Sequence, residues 1–383
     1  MRIKVAGVGL TKFGELWDKS LLDLGLEASL DAIKDSGIDK NTIDAVFVGN
    51  MLIGKIAGQD HLGPVISSSL GLNCASFRIE GACASGGLAV HLAIQGILAG
   101  TYKNVLVVGA EKMTDAPSSQ ITWALMGASS SKERKAGLTF PALYALMTQA
   151  HMQKYGTTRE HLAHVSVKNH YHASLNKKAH YPYEITAEKV LNSSLISYPI
   201  TLFDSSPITD GAAAVILSGD DSSRGLPAGR QVYITGSAVA SDTIDLAHRS
   251  SLTELKATQL AAKLALKQAG AEIKDIKVSE VHDCFTIAEI MAMEDLGFCP
   301  KGEGGKYITR GHTRLGGKLP VNTSGGLKAC GHPVGATGVK QIIEITEQLR
   351  KNAGSRQVKD ANIGLTQNVG GTGATVVVHV LQI

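Results

Sequence analysis

With 383 residues, 44% of them hydrophobic, the chain can bury a sizeable core and reads as an ordinary globular protein of two or three domains. A net charge of +4 is a small excess for this length and argues neither for nor against nucleic acid. Aromatics at 5% leave little surface for stacking on bases, so no nucleic-acid partner is expected.

The first hundred residues alternate between two periods. Ile3 to Val8 reads as a strand, Leu21 to Asp35 as a helix and Ala45 to Gly49 as a strand. Ser76-Phe77-Arg78-Ile79 reads as a further strand, and a mostly helical spacing follows from Leu88 to Leu98. Between the last two lies Glu80-Gly81-Ala82-Cys83-Ala84-Ser85-Gly86-Gly87, a cysteine among small residues at a strand-to-helix junction. There the unpaired N–H groups and the helix dipole favour a thiolate. Asn104 to Ala110 is another strand, and the alternation predicts α/β layers around a largely parallel sheet. Gly7-Val8-Gly9 lacks both the third glycine and the ribose-binding acid of a dinucleotide site, so nucleotide binding of that kind is not expected.

From Met113 to Ser206 the texture changes to short helical pieces, polar residues and loops, which suggests an insertion. Its stretch from Val167 to His180 is basic and rich in imidazole, and reads either as a contact for phosphates or as a solvated helix face. A strand returns at Ala212 to Leu217. After a polar linker from Ser218 to Arg230 come a strand at Val232 to Ile234, a helix at Leu252 to Ala269, and strands at Val278 to Val281, Leu319 to Thr323, Asn362 to Gln367 and Ala374 to Leu381. The order helix (from Cys83), strand (Asn104), strand (Gly211) repeats as helix (from Gly335), strand (Asn362), strand (Gly373), which predicts a duplicated α/β unit with a pseudo-two-fold axis. The expected boundaries are 1–112 for the first half, 113–206 for the insertion, 207–225 for the returning strand and 226–383 for the second half.

Two motifs in the second half place a thiol and an imidazole two residues apart: His282-Asp283-Cys284 and Cys330-Gly331-His332. On an extended strand His282 and Cys284 share a face. The second motif and the final Gln367-Asn368-Val369-Gly370-Gly371-Thr372-Gly373 are dense in glycine, which suits close approach of a substrate and backbone N–H groups aimed at an oxyanion. Three readings are open. The four residues have the donor set of a tetrahedral zinc site, although paired zinc cysteines are separated by two or more residues. They could be satisfied core polar groups. Or Cys83 is a nucleophile for acyl transfer, with a histidine taking its proton and a second thiol acting as acid and base. Cys74 and Cys299 lack partner motifs and are read as structural.

Cys83-Ala84-Ser85, His282-Asp283-Cys284-Phe285, Gly331-His332-Pro333 and Asn368-Val369-Gly370-Gly371, in this order over nearly the whole chain, resemble the motifs of the thiolase superfamily. The His-Asp-Cys-Phe form resembles the archaeal and sterol-carrier-protein-type branch. The resemblance implies a thiolase fold, duplicated α/β halves packed as α-β-α-β-α layers with an inserted loop domain over the substrate. It implies an acetyl-CoA C-acetyltransferase that condenses two acetyl-CoA into acetoacetyl-CoA at the entry to the mevalonate pathway, a degradative 3-ketoacyl-CoA thiolase being the nearest alternative and a non-catalytic acyl-CoA-binding subunit the more distant one.

By the same resemblance Cys83 is the acylated nucleophile, and His332 takes its proton and helps stabilise the enolate oxygen. His282 replaces an asparagine that holds an oxyanion-hole water, and the N–H groups of Cys83 and Gly370 make a second hole. In ordinary thiolases the acid/base is a cysteine near the C-terminus, where this chain has Asn368; Cys284 is its expected substitute and Cys330 the competitor. No metal or cofactor is implied beyond coenzyme A thioesters as substrates. The implied partners are a second copy, as homodimer or tetramer with sheet edges of the first half as interface, and an assembly with hydroxymethylglutaryl-CoA synthase and a small zinc-containing OB-fold scaffold. Five cysteines without a framework spacing suggest reduced thiols. With a first decapeptide too short and too soon charged for a signal peptide and no apolar run of about 18 residues, a cytoplasmic protein with no membrane partner is expected.

Overall fold

The computed structural model describes residues 2–219 and 231–383. Most of the polar linker expected at 218–230 lies outside them. Strands are β1 (Ile3–Leu10), β2 (Ala45–Gly49), β3 (Ala75–Ile79), β4 (Asn104–Glu111), β5 (Leu195–Ser197), β6 (Ile200–Thr201), β7 (Gly211–Gly219), β8 (Tyr233–Ser241), β9 (Val278–Glu280), β10 (Ile363–Gly370) and β11 (Thr375–Gln382). Nine of them form one sheet in the order β3-β2-β4-β7-β1-β8-β11-β10-β9, and β5 and β6 form a separate hairpin.

The sheet is mixed, not largely parallel. Only β3-β2-β4 and β10-β9 are parallel; every pairing between them is antiparallel. Alternation of strands and helices predicted crossovers correctly at the outer strands. It could not show that β7 and β11 return beside the first strand of their halves. The two halves nonetheless repeat the same order outward from the β1–β8 junction, where Ile3 pairs with Ile234 and Lys4 with Tyr233.

The predicted strand at Leu319 to Thr323 is reduced to one parallel bridge, Val321 to Ser279, at the place that β3 occupies beside β2 in the first half. Ser279 N–H donates to the Pro320 carbonyl at 3.1 Å and Asn322 N–H to the Ser279 carbonyl at 2.8 Å, and the pairing stops where Asn322 turns to φ +57° and its side-chain oxygen takes the Val281 N–H at 2.8 Å. The helix predicted from Leu252 begins at Lys256.

Helix Leu21–Ser36 starts at a Ser20/Asp23 capping box and stops at a left-handed Gly37. It packs on β1, β4 and β7, and Leu24, Ala28 and Ala32 share one apolar cluster with Leu106, Val108, Ala214 and Ile216 of those strands. The Gly7-Val8-Gly9 run serves this contact: a Cβ on Gly7 would lie 2.1 Å from the Ala32 carbonyl, and one on Gly9 2.1 Å from that of Ala28. Helix Lys256–Ala269 covers β8 and β11 in the same way.

Between the two halves of the sheet lie helices Ser85–Leu98 and Thr337–Arg350, each in contact with strands of both halves and with the other. Close approach here demands glycine. A Cβ on Gly86 would fall 2.5 Å from the Gly335 carbonyl, and one on Gly338 would fall 2.1 Å from the Gly87 nitrogen. The result is an α-β-α-β-α stack in which both strand-to-helix junctions meet at the centre.

The segment between β4 and β7 is more helical than its texture suggested, with 16-residue helices at Phe140–Tyr155 and Arg159–Ser174. The basic stretch from Val167 is divided: Lys177 and Lys178 are exposed, whereas its first part is packed inside. Lys168, Asn169, His170 and His172 are buried; Lys168 pairs with Glu289 at 3.0 Å, and His172 Nδ1 donates to the Asn322 carbonyl at 3.0 Å. The first ties this helix to helix Thr286–Asp295, which follows Cys284, and the second to the segment that leads to Cys330 and His332.

Candidate active site

β3 ends at Ile79, and the chain turns through Glu80–Ala84 into helix Ser85–Leu98. Ala82 is held at φ +54°, a left-handed conformation that costs a non-glycine residue about 1–2 kcal/mol. Ser85 Oγ stabilises the turn by donating to the Ala82 carbonyl at 2.6 Å and accepting from Gly81 N–H at 3.0 Å. Cys83 follows Ala82, and its side chain lines a cavity of about 210 Å³.

The thiolate expected at this helix start is not the resting form. Burial pushes the Cys83 thiol up to about 12, helped by the negative charges of Glu111 and Glu80, and the Gly371 N–H that faces the sulfur offsets this only in part. Desolvation of a charge outweighs a helix terminus whose effect is at most about 2 kcal/mol.

His332 reaches the same cavity from the junction before helix Thr337–Arg350. Its Nδ1 lies 2.7 Å from Thr337 Oγ1. That hydroxyl already donates to the Pro333 carbonyl at 3.0 Å, so it accepts from Nδ1–H and leaves a lone pair on Nε2. Burial, with Lys340 adding to it, holds the ring down to about 3 and therefore neutral.

His282 does not sit on a strand with Cys284, because β9 ends at Glu280. Its ring stands edge-on to that of His332, with centroids 5.0 Å apart and planes at 84°. Ligand-type atoms of Cys83, His282 and His332 all lie within 4.8 Å of one another, although His282 itself is behind the cavity wall. Asn368 Nδ2 meets His282 Nδ1 at 3.3 Å and donates to the Cys83 carbonyl at 3.0 Å, while Asn368 Oδ1 accepts from Gly87 N–H at 3.1 Å. His282 Nε2 is buried with no hydrogen-bond partner among the described residues.

Cys284 lines the cavity and Cys330 does not. Cys330 is fully buried, with Asn176 Nδ2 3.7 Å from its sulfur. The four-residue zinc arrangement is therefore not assembled; the potential donor group among the described residues is Cys83, His282 and His332. Burial raises the Cys284 thiol as well, and the neighbouring Tyr144 hydroxyl offsets this in part. Tyr144 also donates to the Gly371 carbonyl at 3.1 Å and stacks on Phe285 at 4.5 Å. Nothing in the sequence singled it out, since it lies in a helix of low amphipathic character within the inserted segment.

Gly370, expected to present an oxyanion donor, packs against Gly81 so closely that a Cβ would lie 2.5 Å from its carbonyl. The amide that faces the Cys83 sulfur belongs to the next residue, Gly371, which also lines the cavity. Asp283 caps a short helix, accepting from Leu327 N–H at 2.6 Å and from Asn169 Nδ2 at 2.6 Å. Met113, Leu125, Phe140, Ile208, Phe285 and Val334 complete an apolar lining.

Residues 3–195 match the family described as Thiolase, N-terminal domain, and residues 238–383 that described as Thiolase C-terminal domain-like. The chain is 49% identical over 382 residues to "Acetyl-CoA acetyltransferase" of Methanothermobacter thermautotrophicus, covering 99% of each. It is 45% identical to the protein of the same name from Methanocaldococcus jannaschii, covering 99% of this chain and 98% of that one. The solved structure "Ltp2-ChsH2(DUF35) aldolase" superposes with a TM-score of 0.86 at 24% identity, over 99% of this chain and 97% of that one. Human mitochondrial 3-ketoacyl-CoA thiolase in complex with CoA superposes at 0.78 with 18% identity, over 100% of this chain and 98% of that one. Those two likenesses show the fold. With both family regions matched in order and relatives nearly half identical over the full length, the chain belongs to the thiolase family.

Proposed function

We propose that the chain is an acetyl-CoA C-acetyltransferase that joins two acetyl-CoA into acetoacetyl-CoA. The observation that carries the reading is the meeting of Cys83, His282 and His332 within 4.8 Å, next to a cavity that Cys284 also lines. Two relatives of that name support the substrate. A cavity of about 210 Å³ is below the roughly 300 Å³ at which drug-sized pockets begin, which favours short acyl groups.

Cys83 attacks the thioester carbon as its proton passes to His332 Nε2. The departing coenzyme A sulfur takes the proton of Cys284, which leaves an acetyl-Cys83, an imidazolium and a Cys284 thiolate. That thiolate removes a proton from the methyl group of the second acetyl-CoA, and the enolate oxygen is held by His332 and by the His282 side. The enolate carbon attacks acetyl-Cys83, and the released Cys83 sulfur recovers its proton from His332. Charge and protons balance, and both thiolates arise only in transit, in accord with thiols raised by burial. Donors from the Cys83 amide and the Gly370–Gly371 turn are assigned to the tetrahedral oxyanion, and loss of one such donor typically costs about 3 kcal/mol. Residues 113–206 supply Met113, Leu125 and Phe140 to the wall, and are assigned the part of a cover over the substrate.

Incubation with acetoacetyl-CoA and coenzyme A should discharge the enolate absorbance rapidly, and Cys83→Ala should abolish the discharge. An intact protein that leaves the absorbance unchanged would reject the acetoacetyl substrate.

The partners are part of the same proposal. β3 ends the sheet with a free edge on which Phe77 is 42% exposed, suited to a second copy. Light scattering should return at least a dimer, and a monomer would refute it. An assembly with hydroxymethylglutaryl-CoA synthase and a zinc-containing scaffold draws support from the neighbour titled with a DUF35 component. Failure of the three purified proteins to co-migrate would remove it. Among the described residues no helix is long and apolar enough to cross a membrane, and a cytoplasmic setting is part of the same proposal.

A further inference from the structure

We propose that Asn368 is a positioning residue that fixes His282 as its Nε2–H tautomer, so that this ring presents a donor where His332 presents a lone pair. The chain of constraint begins at two backbone groups. Gly87 N–H can only donate, so the Asn368 atom 3.1 Å from it is the oxygen. The Cys83 carbonyl can only accept, so the Asn368 atom 3.0 Å from it is the nitrogen. The opposite amide orientation would set N–H against NH₂ and oxygen against oxygen, which settles an assignment otherwise open to a flip. The second N–H of the same amide is then left for His282 Nδ1 at 3.3 Å, and Nδ1 must accept. A neutral imidazole that accepts on one nitrogen carries its proton on the other. His282 is 1% exposed, and its Nε2 is unpartnered among the described residues. A buried donor left without a protein partner at a reaction centre is suited to a substrate oxygen or a water that holds one.

The same amide ties this choice to the nucleophile. Its bond to the Cys83 carbonyl and its bond to Gly87, in the first turn of the helix after Cys83, join the second half of the molecule to the first. The asparagine at the position where ordinary thiolases place a cysteine thus acquires a purpose once the tetrad carries a histidine and a cysteine. The expected catalytic consequence rests on the function proposed above, whereas the tautomer does not.

The test has two readings. In ¹⁵N-histidine-labelled protein, with His282 assigned by loss of its signals in His282→Asn, the Nε2–H form is expected, and Asn368→Asp, which can only accept, should convert it to Nδ1–H or imidazolium. An Nδ1–H ring in the unmodified protein would overturn the proposal whatever the enzyme does. For activity, Asn368→Ala should lower condensation roughly 10²-fold while Cys83 is still acylated. On a His282→Asn background it should cost less than about threefold, because the ring whose tautomer it sets is gone. Equal losses on both backgrounds would mark Asn368 as merely structural and overturn its positioning role. Absence of acylation in the unmodified protein would instead reject the proposed reaction and leave the tautomer to the NMR reading.

Discussion

At the residue scale the site is a contest between burial and charge, and burial wins. Cys83 is raised to about 12 and His332 lowered to about 3, so the resting pair is a neutral thiol beside a neutral imidazole rather than a preformed ion pair. Thiolate and imidazolium must then appear together as substrate arrives, each compensating the other. Of the two candidate acid/base thiols only Cys284 borders the cavity. Cys284→Ser is expected to lose condensation by at least about 10²-fold while acetylation of Cys83 is slowed less, because a thiolate can depart without prior protonation, and Cys330→Ala to keep kcat within about twofold, as read from product formation and intact mass. The reverse pattern would transfer the role to Cys330. Cys83 and His332 stood out in the sequence as candidates because each is framed by small or ring-constrained residues, and Cys284 because it lies two residues from His282. Thr337 and Tyr144 did not, because a hydroxyl on a helix has no distinguishing neighbours in sequence until the fold brings it to His332 or Cys284.

At the scale of elements the catalytic junctions are placed by two helices that touch through glycine. Gly338→Ala would drive a methyl group to 2.1 Å from the Gly87 nitrogen. Overpacking of this kind should cost about 1–3 kcal/mol or more, seen as a lower denaturation midpoint together with loss of activity, since Asn368 binds the same Gly87. An unchanged midpoint would mean that the helices are not in the contact described. Sequence periodicity located these helices and most strands within a few residues, because apolar spacing is a local property. It overstated the parallel character of the sheet and supplied a strand at Leu319 to Thr323, because strand pairing is decided between distant segments and Asn322, at φ +57°, turns the chain out of the extended path.

Over the whole molecule, the buried imidazoles set the response to acid. Burial holds His170, His172, His332 and His379 down to about 3, and His282 well below its ordinary value. The unfolded chain takes up a proton on each as pH falls through about 6.5, while the native chain does not until near 3. Native stability from these groups is therefore lost as pH falls across that window. Glu111 and Asp283, both raised to about 7 by burial, and Glu347, raised by the same cause, work the other way: each costs stability while ionised in the native state, and the cost is relieved as pH falls toward the ordinary carboxylate range. The lowered imidazoles outnumber these carboxyls, which predicts a lower urea midpoint at pH 5 than at pH 7, and a higher midpoint at pH 5 would contradict the neutral, buried histidines. The duplicated architecture was legible from the repeated order of elements, and its meaning is chemical: one half brings Cys83, the other His282, Cys284 and His332.

In the proposed reaction Cys83 carries the acyl group between two coenzyme A thioesters. Intact-mass and peptide spectrometry after brief exposure to acetyl-CoA tests it most directly. One acetyl group per chain is expected, on the peptide that contains Cys83, discharged by added coenzyme A and absent in Cys83→Ala. An acetyl group on another cysteine, or none while product still forms, would contradict it.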